Sequence, residues 1–309
     1  MLLATFLNPI LPIFMAMVAG YCMRRLKYFD VANAQGINRF VFYMAVPALL
    51  FNLIAKAPFS EINWPTVSAY IASELFVYLG VALVMYRLFK LTLGESLLLG
   101  MAAGFVNHLL FVLPIAKTLY GADAVIPIVS IVFVDTIIFC GTVLAIEFIQ
   151  MRNQEPRKTQ SILTVLLMIL KNPLVIATTL GLIAASIPNS IPQGIFTYAG
   201  FVGAAAAPAS LFALGVILAG QSVQPIGLIV GLTVFVKLII HPILFMTFAA
   251  YSAMNPVWQN MVLLVAAGPC GAMPFVIAMQ YGIESSRIAK AVMISTILSL
   301  LSLSYLTAS

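Results

Sequence analysis

Two short phrases gather the polar and proline residues that interrupt otherwise apolar runs: Asn107-His-Leu-Leu-Phe-Val-Leu-Pro114 and Pro269-Cys-Gly-Ala-Met-Pro274. A proline inside a helix removes a backbone donor and frees carbonyls that hydrocarbon cannot solvate. Such breaks therefore persist only against protein or a polar cavity. A helix that restarts beyond a break presents unsatisfied N–H groups and about half a unit of positive charge. Restarts at Pro114 and Pro274 are expected to aim two such ends at one central region, which suits an anion and above all a carboxylate. Asn107 carries both a donor and an acceptor and is the leading candidate ligand, the alternative being an interhelical hydrogen bond. His108, Cys270, Gly271 and Met273 complete the set around the breaks. On an intact helix His108 points about 100° away from Asn107, so both meet one ligand only if the helix unwinds there. The plainer reading of His108 is a satisfied neutral histidine. Gly104, Gly268 and Gly271 permit close backbone approach or serve as packing contacts.

Four further ionisable residues fall inside apolar runs, where they are costly and normally functional or paired. Asp135 lies twelve residues beyond Asp123, roughly 18 Å along a helix, which puts it near the level of the breaks. Glu74 and Lys237 occupy corresponding runs in the two halves of the chain, and a direct ion pair between them is expected. That pair reads either as a structural lock or as part of proton coupling. Lys237 and His241 share a helix face by their four-residue spacing. Lys117, just past Pro114, is placed to steer an anion or to snorkel.

These residues need membrane helices to position them. The chain is 63% hydrophobic and 8% charged, with a mean hydropathy of +1.11, far from soluble domains. Apolar runs predict ten spans, at about 5–24, 34–55, 64–88, 96–119, 123–149, 162–186, 194–220, 225–251, 258–281 and 286–307. No short apolar core with a small-residue cleavage site stands at the start, so the first span is expected to remain in the mature protein. Basic residues cluster at the odd connections: Arg24, Arg25, Lys27 and Arg39, then Arg87 and Lys90, then Arg152, Arg157, Lys158 and Lys171, then Arg287 and Lys290. The positive-inside rule then puts both termini outside a cell membrane. The net charge of +6 follows from this orientation and gives no nucleic-acid footprint. Cys22, Cys140 and Cys270 show no metal-ligand spacing, and no cofactor is implied.

The two halves repeat. Asn8-Pro9 answers to Asn172-Pro173, Val46-Pro-Ala-Leu-Leu-Phe51 to Ala207-Pro-Ala-Ser-Leu-Phe212, and Tyr120-Gly-Ala-Asp123 to Tyr281-Gly-Ile-Glu284, in the same order and at nearly constant spacing. Residues 1–150 and 162–309 therefore form two five-span repeats around a cytoplasmic linker at 151–161. An odd span count inverts one repeat relative to the other, the arrangement of alternating-access carriers with a midplane site.

These motifs resemble the auxin efflux carrier, or PIN-like, family, whose bacterial members are associated with malonate and other organic acids. The most specific elements are Asn107 seven positions before Pro114, the stretch Pro269-Cys-Gly-Ala-Met-Pro-Phe-Val-Ile-Ala-Met-Gln-Tyr281, and the Pro-Ala-x-Leu-Phe phrases at Pro47 and Pro208. The short linker is similar to the bacterial branch. The resemblance implies an all-α fold like that of the sodium/bile-acid symporters, with crossed broken helices in spans 4 and 9. It further implies a scaffold of spans 1, 2, 6 and 7, an elevator-type transport domain of spans 3–5 and 8–10, and a homodimer. It assigns Asn107 to the substrate carboxylate and Glu74 to support of the site. Some relatives carry a lysine one turn after that acid, where this chain has Tyr78. No second asparagine stands near Cys270 to Met273.

The residues thus point to a carrier of small organic anions, malonate-like dicarboxylates included, driven by the substrate's own gradient or by protons. The competing carrier reading is sodium-coupled movement of amphipathic or aromatic acids, against which stands the scarcity of carboxylates near the breaks. An enzyme would need a nucleophile with a positioned base or metal ligands, and His108 and His241 belong to no such motif. A membrane sensor that binds without transporting is the alternative from another class.

Overall fold

The computed structural model describes residues 2–57, 59–154, 171–187, 190–220, 227–251 and 256–308, which form helices joined by short turns. Helix α1 (Leu2–Arg25) closes on Arg24 and Arg25, cations placed at the negative end of its dipole. Asp30 starts α2 (Val31–Phe40) with a capping box: its carboxylate accepts from Asn33 N–H, and the Asn33 side chain accepts from Asp30 N–H. A π turn, Val41–Ala45, leads on into α3 (Val46–Ala55). Asn63 caps α4 (Trp64–Arg87), and Thr92 caps α5 (Leu93–Gly104). After the first break a π turn, His108–Val112, runs into α6 (Leu113–Tyr120), followed by the long α7 (Val125–Gln154).

The second half begins, among the described residues, with α8 (Pro173–Ser186), capped by Asn172. It continues through α9 (Gln193–Gly203) and α10 (Ala206–Ala219), then α11 (Leu228–Phe235), the π turn Val236–Ile240 and α12 (His241–Ala250). The last elements are α13 (Pro256–Ala266), α14 (Met273–Gln280) and α15 (Ser286–Ala308). Each of the three π turns is followed by a helix whose second residue is proline: Pro47, Pro114 and Pro242. The wider turn accommodates the N–H that each proline lacks.

Among the described residues five helical runs are long and apolar enough to cross a membrane: Val31–Ala55, Trp64–Arg87, Ile126–Arg152, Gln193–Ala219 and Leu228–Ala250. Helices α5, α8 and α13 are shorter and apolar. The fourth span is interrupted between Gly104 and His108, where a broken helix was expected, and α7 runs on through Gln154, beyond the 123–149 expected for the fifth span. The rest of the expected linker and the first part of the sixth span lie outside the described residues.

The faces are sorted as a lipid-embedded protein requires. On α4 the buried side carries Tyr70, Ser73, Glu74, Val77 and Tyr78, while Phe76, Leu79 and Leu83 face outward, so the polar groups are inside and the apolar ones outside. Helix α1 packs along α10, α3 along α8, and α4 against both α5 and α12. Small residues make the first of these contacts possible: a Cβ on Gly20 would sit 2.0 Å from Phe212 O, and one on Gly215 2.0 Å from Met17 O. The fully buried centre is made by the short helices α5, α13 and α14, with Leu98, Leu99, Val265 and Ile277 at zero exposure.

Gly20→Val is expected to destabilise the protein by roughly 1–3 kcal/mol through overpacking. Gly80→Ala, where a Cβ meets nothing within 4 Å, should leave the unfolding temperature in detergent unchanged or slightly raised.

Candidate functional site

The two breaks meet. Helix α5 ends at Gly104 and its chain restarts at His108; α13 ends at Ala266 and its chain restarts as α14 at Met273. Between them Val106 and Cys270 form an antiparallel backbone bridge. Gly271 N–H donates to Phe105 O at 3.0 Å, and Asn107 N–H donates to Pro269 O at 3.4 Å. Backbone groups released by one break are thus taken up by the other, which answers the demand that none be left facing lipid. Glycine is required where the chains cross: a Cβ on Gly271 would lie 2.7 Å from Phe105 Cδ1, and one on Gly268 2.7 Å from Val106 Cγ1. Cys270 N–H donates to Ser295 Oγ at 3.0 Å, tying the crossing to α15.

The first helical restart is at His108, not at Pro114. The Asn107 carbonyl accepts from Phe111 N–H and Val112 N–H, so the amino end of this segment begins directly after Asn107. The π turn moves the start six residues, about a turn and a half, ahead of the proline. At the other break Pro274 does stand in the first turn of its helix. Because the chain is unwound at Phe105–Asn107, Asn107 and His108 escape the 100° separation of an intact helix and border the same cavity.

That cavity measures ≈ 90 Å³, room for a small molecule or several waters. Its polar border is Asn107, His108, Thr136 and Ser210, with Met273 beside them. Its remaining walls are apolar, from Val46, Leu49, Leu50 and Leu53 on α3, Phe105 at the break, and Phe139 on α7. Cys270, Gly271 and Pro274 do not border it: the first two build the crossing, and Pro274 is buried in the turn beyond.

Behind the cavity the buried ionisable residues form two groups. His108 Nε2 lies 2.8 Å from Asp135 Oδ2, both side chains almost fully buried, and the imidazole also hydrogen-bonds the Val106 backbone. The carboxyl groups of Asp135 and Glu74 lie within electrostatic range of one another, and Glu74 Oε2 has no hydrogen-bond partner among the described residues. The expected Glu74–Lys237 ion pair is not formed. Lys237 Nζ instead donates to Gly104 O at 3.0 Å and Ala266 O at 3.3 Å, and meets His241 Nδ1 at 2.8 Å. Tyr78, in the place of the relatives' lysine, shares a hydrogen bond with Thr142 at 2.9 Å.

Three residues were not singled out from the sequence. Ser210 sits inside the repeated Pro-Ala-x-Leu-Phe phrase, a usable signal. Thr136 adjoins Asp135, which is a weaker one. Ser295 lies in a helix of many serines, with nothing to set it apart before the fold places it under Cys270.

With this geometry in view, comparison with known proteins is decisive for the family. The family model described as "Membrane transport protein" matches residues 5–307. The chain belongs to that family. Its members here include a Rhizobium meliloti protein named "Putative malonate transporter", 26% identical over 94% of this chain and 91% of the relative. An Escherichia coli K12 protein named "Uncharacterized transporter YfdV" is 23% identical, over 91% and 90%. Arabidopsis thaliana "Auxin efflux carrier component 8" is 22% identical, over 94% and 93%. Family membership makes this a multi-pass membrane transporter of the PIN-like, bacterial type, and not an enzyme.

The crossing itself can be tested by removing one bond. Ser295→Ala leaves the buried Cys270 N–H without its acceptor and is expected to cost about 1–3 kcal/mol, read as a lowered unfolding temperature in detergent.

Proposed function

We propose that this family member carries small organic anions with at least one carboxylate across the cell membrane by elevator-type alternating access. The observation that carries the reading is the convergence of Asn107 and the amino end at His108 on one cavity. A carboxylate there would accept from the Asn107 amide and from first-turn N–H groups, in the field of the helix end.

The mechanical part of the proposal takes residues 1–150 and 162–309 as inverted repeats, with both termini outside. Spans 1, 2, 6 and 7 form the scaffold, and spans 3–5 and 8–10 the moving domain. Support comes from the contact pattern: α1 lies on α10 and α3 on α8, the exchange that a two-fold relation between halves would produce. The cavity is bordered by α3 and by Ser210 on α10 from the scaffold side, and by the crossing and α7 from the other. A site on such a seam is exposed to alternate sides as one body slides past its neighbour. Proton coupling would run through the His108–Asp135–Glu74 contacts behind the cavity, and a homodimer would use the scaffold.

The relative named as a malonate transporter favours dicarboxylates. The cavity walls favour a second reading, an amphipathic acid whose apolar body lies against Leu49, Leu50 and Phe139, since among the described residues no lysine or arginine borders the space to meet a second carboxylate.

Both are tested in proteoliposomes with labelled malonate and a panel of aliphatic and aromatic monocarboxylates, with and without an imposed proton gradient. Asn107→Ala is expected to lower flux of the accepted acid roughly tenfold or more, the size of a lost charge-assisted hydrogen bond. Parent protein that moves no carboxylate under any gradient would sink the reading, and binding without flux would recast the protein as a sensor.

A further inference from the structure

Lys237 is completely buried, yet no carboxylate holds it at ion-pair distance among the described residues. Its three contacts are the last carbonyl of α5, the last carbonyl of α13 and the imidazole Nδ1 of His241. The two carbonyls accept from the lysine, and His241 Nδ1 takes a third N–H in the tautomer that carries its proton on Nε2, so an ammonium with its three donors fits all three positions. The two carbonyls are of a particular kind: each terminates one of the broken helices, where orphan C=O groups carry about half a unit of negative charge. Two carboxyl ends meeting in a buried space sum to about one negative charge, and a single ammonium cancels it.

The opposite ends of the crossing have the reverse sign. The segments restarting at His108 and Met273 contribute together about one positive charge. Without Lys237 the four helix ends would sum to nothing, and an anion in the cavity would feel two opposed dipoles. With Lys237 the negative pair is neutralised and the positive pair is left for the substrate.

We propose that Lys237 is a tethered monovalent cation: it occupies a position suited to a free alkali-metal ion between the two carboxyl ends and makes the crossing selective for anions. The inference rests in part on the reading of the crossing as an anion site. The lodging for such a cation is present in the fold. Besides the carbonyls of Gly104 and Ala266 and the His241 nitrogen, the carboxyls of Glu74 and Asp135 lie within electrostatic range. Glu74 Oε2 is buried without a hydrogen-bond partner. Truncating the lysine would empty a volume about the length of its stem and leave these groups facing it. Parent protein should therefore be indifferent to sodium and potassium, while Lys237→Ala should acquire a requirement for a small cation.

The test has two arms that separate this inference from the transport reading. Thermal unfolding of purified parent and Lys237→Ala protein is measured in choline, sodium, potassium and methylammonium chloride. The parent should show one unfolding temperature throughout. The variant should unfold earlier in choline and recover, saturably, with at least one of the smaller cations. Anion flux is then measured in the same salts, where Lys237→Ala is expected to lose about tenfold or more in choline and regain part of it with the stabilising cation. A parent that is itself stabilised or driven by sodium overturns the proposal, as does a variant that matches the parent in choline. If Lys237→Ala does not assemble, Lys237→Met decides. Its stem fills the volume without charge, so stability equal to the parent's overturns the proposal, and a lower stability unresponsive to any cation supports it. Cation rescue of stability with no flux in any protein would keep the tethered cation and remove the anion-carrier reading.

Discussion

Everything at the centre of this protein follows from the need to satisfy backbone groups where two helices are broken and buried from solvent. Each break creates an acceptor-rich end and a donor-rich end. The fold places like ends together, so that carboxyl ends converge on Lys237 and the amino ends at His108 and Met273 border the cavity. The antiparallel bridge between Val106 and Cys270 disposes of the groups in between. Glycines at 268 and 271 are the condition for that bridge, since any side chain there would hold the two chains apart.

The arrangement also divides labour between two layers of residues. Asn107 and His108 border the cavity, whereas Asp135, Glu74 and Lys237 stand behind them, deeper in the bundle. Asp135 lies 2.8 Å from His108 and Lys237 is bound to two helix ends, while Glu74 Oε2 is left without a hydrogen-bond partner among the described residues. The surrounding walls remain apolar. A polar ligand entering the cavity therefore exchanges water for a few oriented groups rather than for a charged pocket, and selectivity depends on geometry more than on net charge.

Much of this was legible in the residues. The repeated proline phrases marked both breaks, and membrane cost singled out Glu74, Asp135, Lys237 and His241. The four-residue spacing of Lys237 and His241 indicated their contact. What failed was local. Pro114 looked like the point of restart, but the π turn His108–Val112 shifts the helix start to the residue after Asn107. Register of that kind depends on backbone hydrogen bonds that no side-chain pattern encodes. The partner of Lys237 was misjudged for a related reason: charge complementarity suggests Glu74, while helix ends, which have no residue type of their own, supply the acceptors. Ser295 was invisible because its role is set by what passes above it.

The contact of α1 with α10 has a bearing on how the molecule is made. The glycine face around Gly20 fits only the backbone near Phe212, and Gly215 fits only that near Met17. Synthesis delivers α1 long before α10 exists, so this small-residue face is made without the partner it fits, and the packing of the early part of the chain is completed only by the late part.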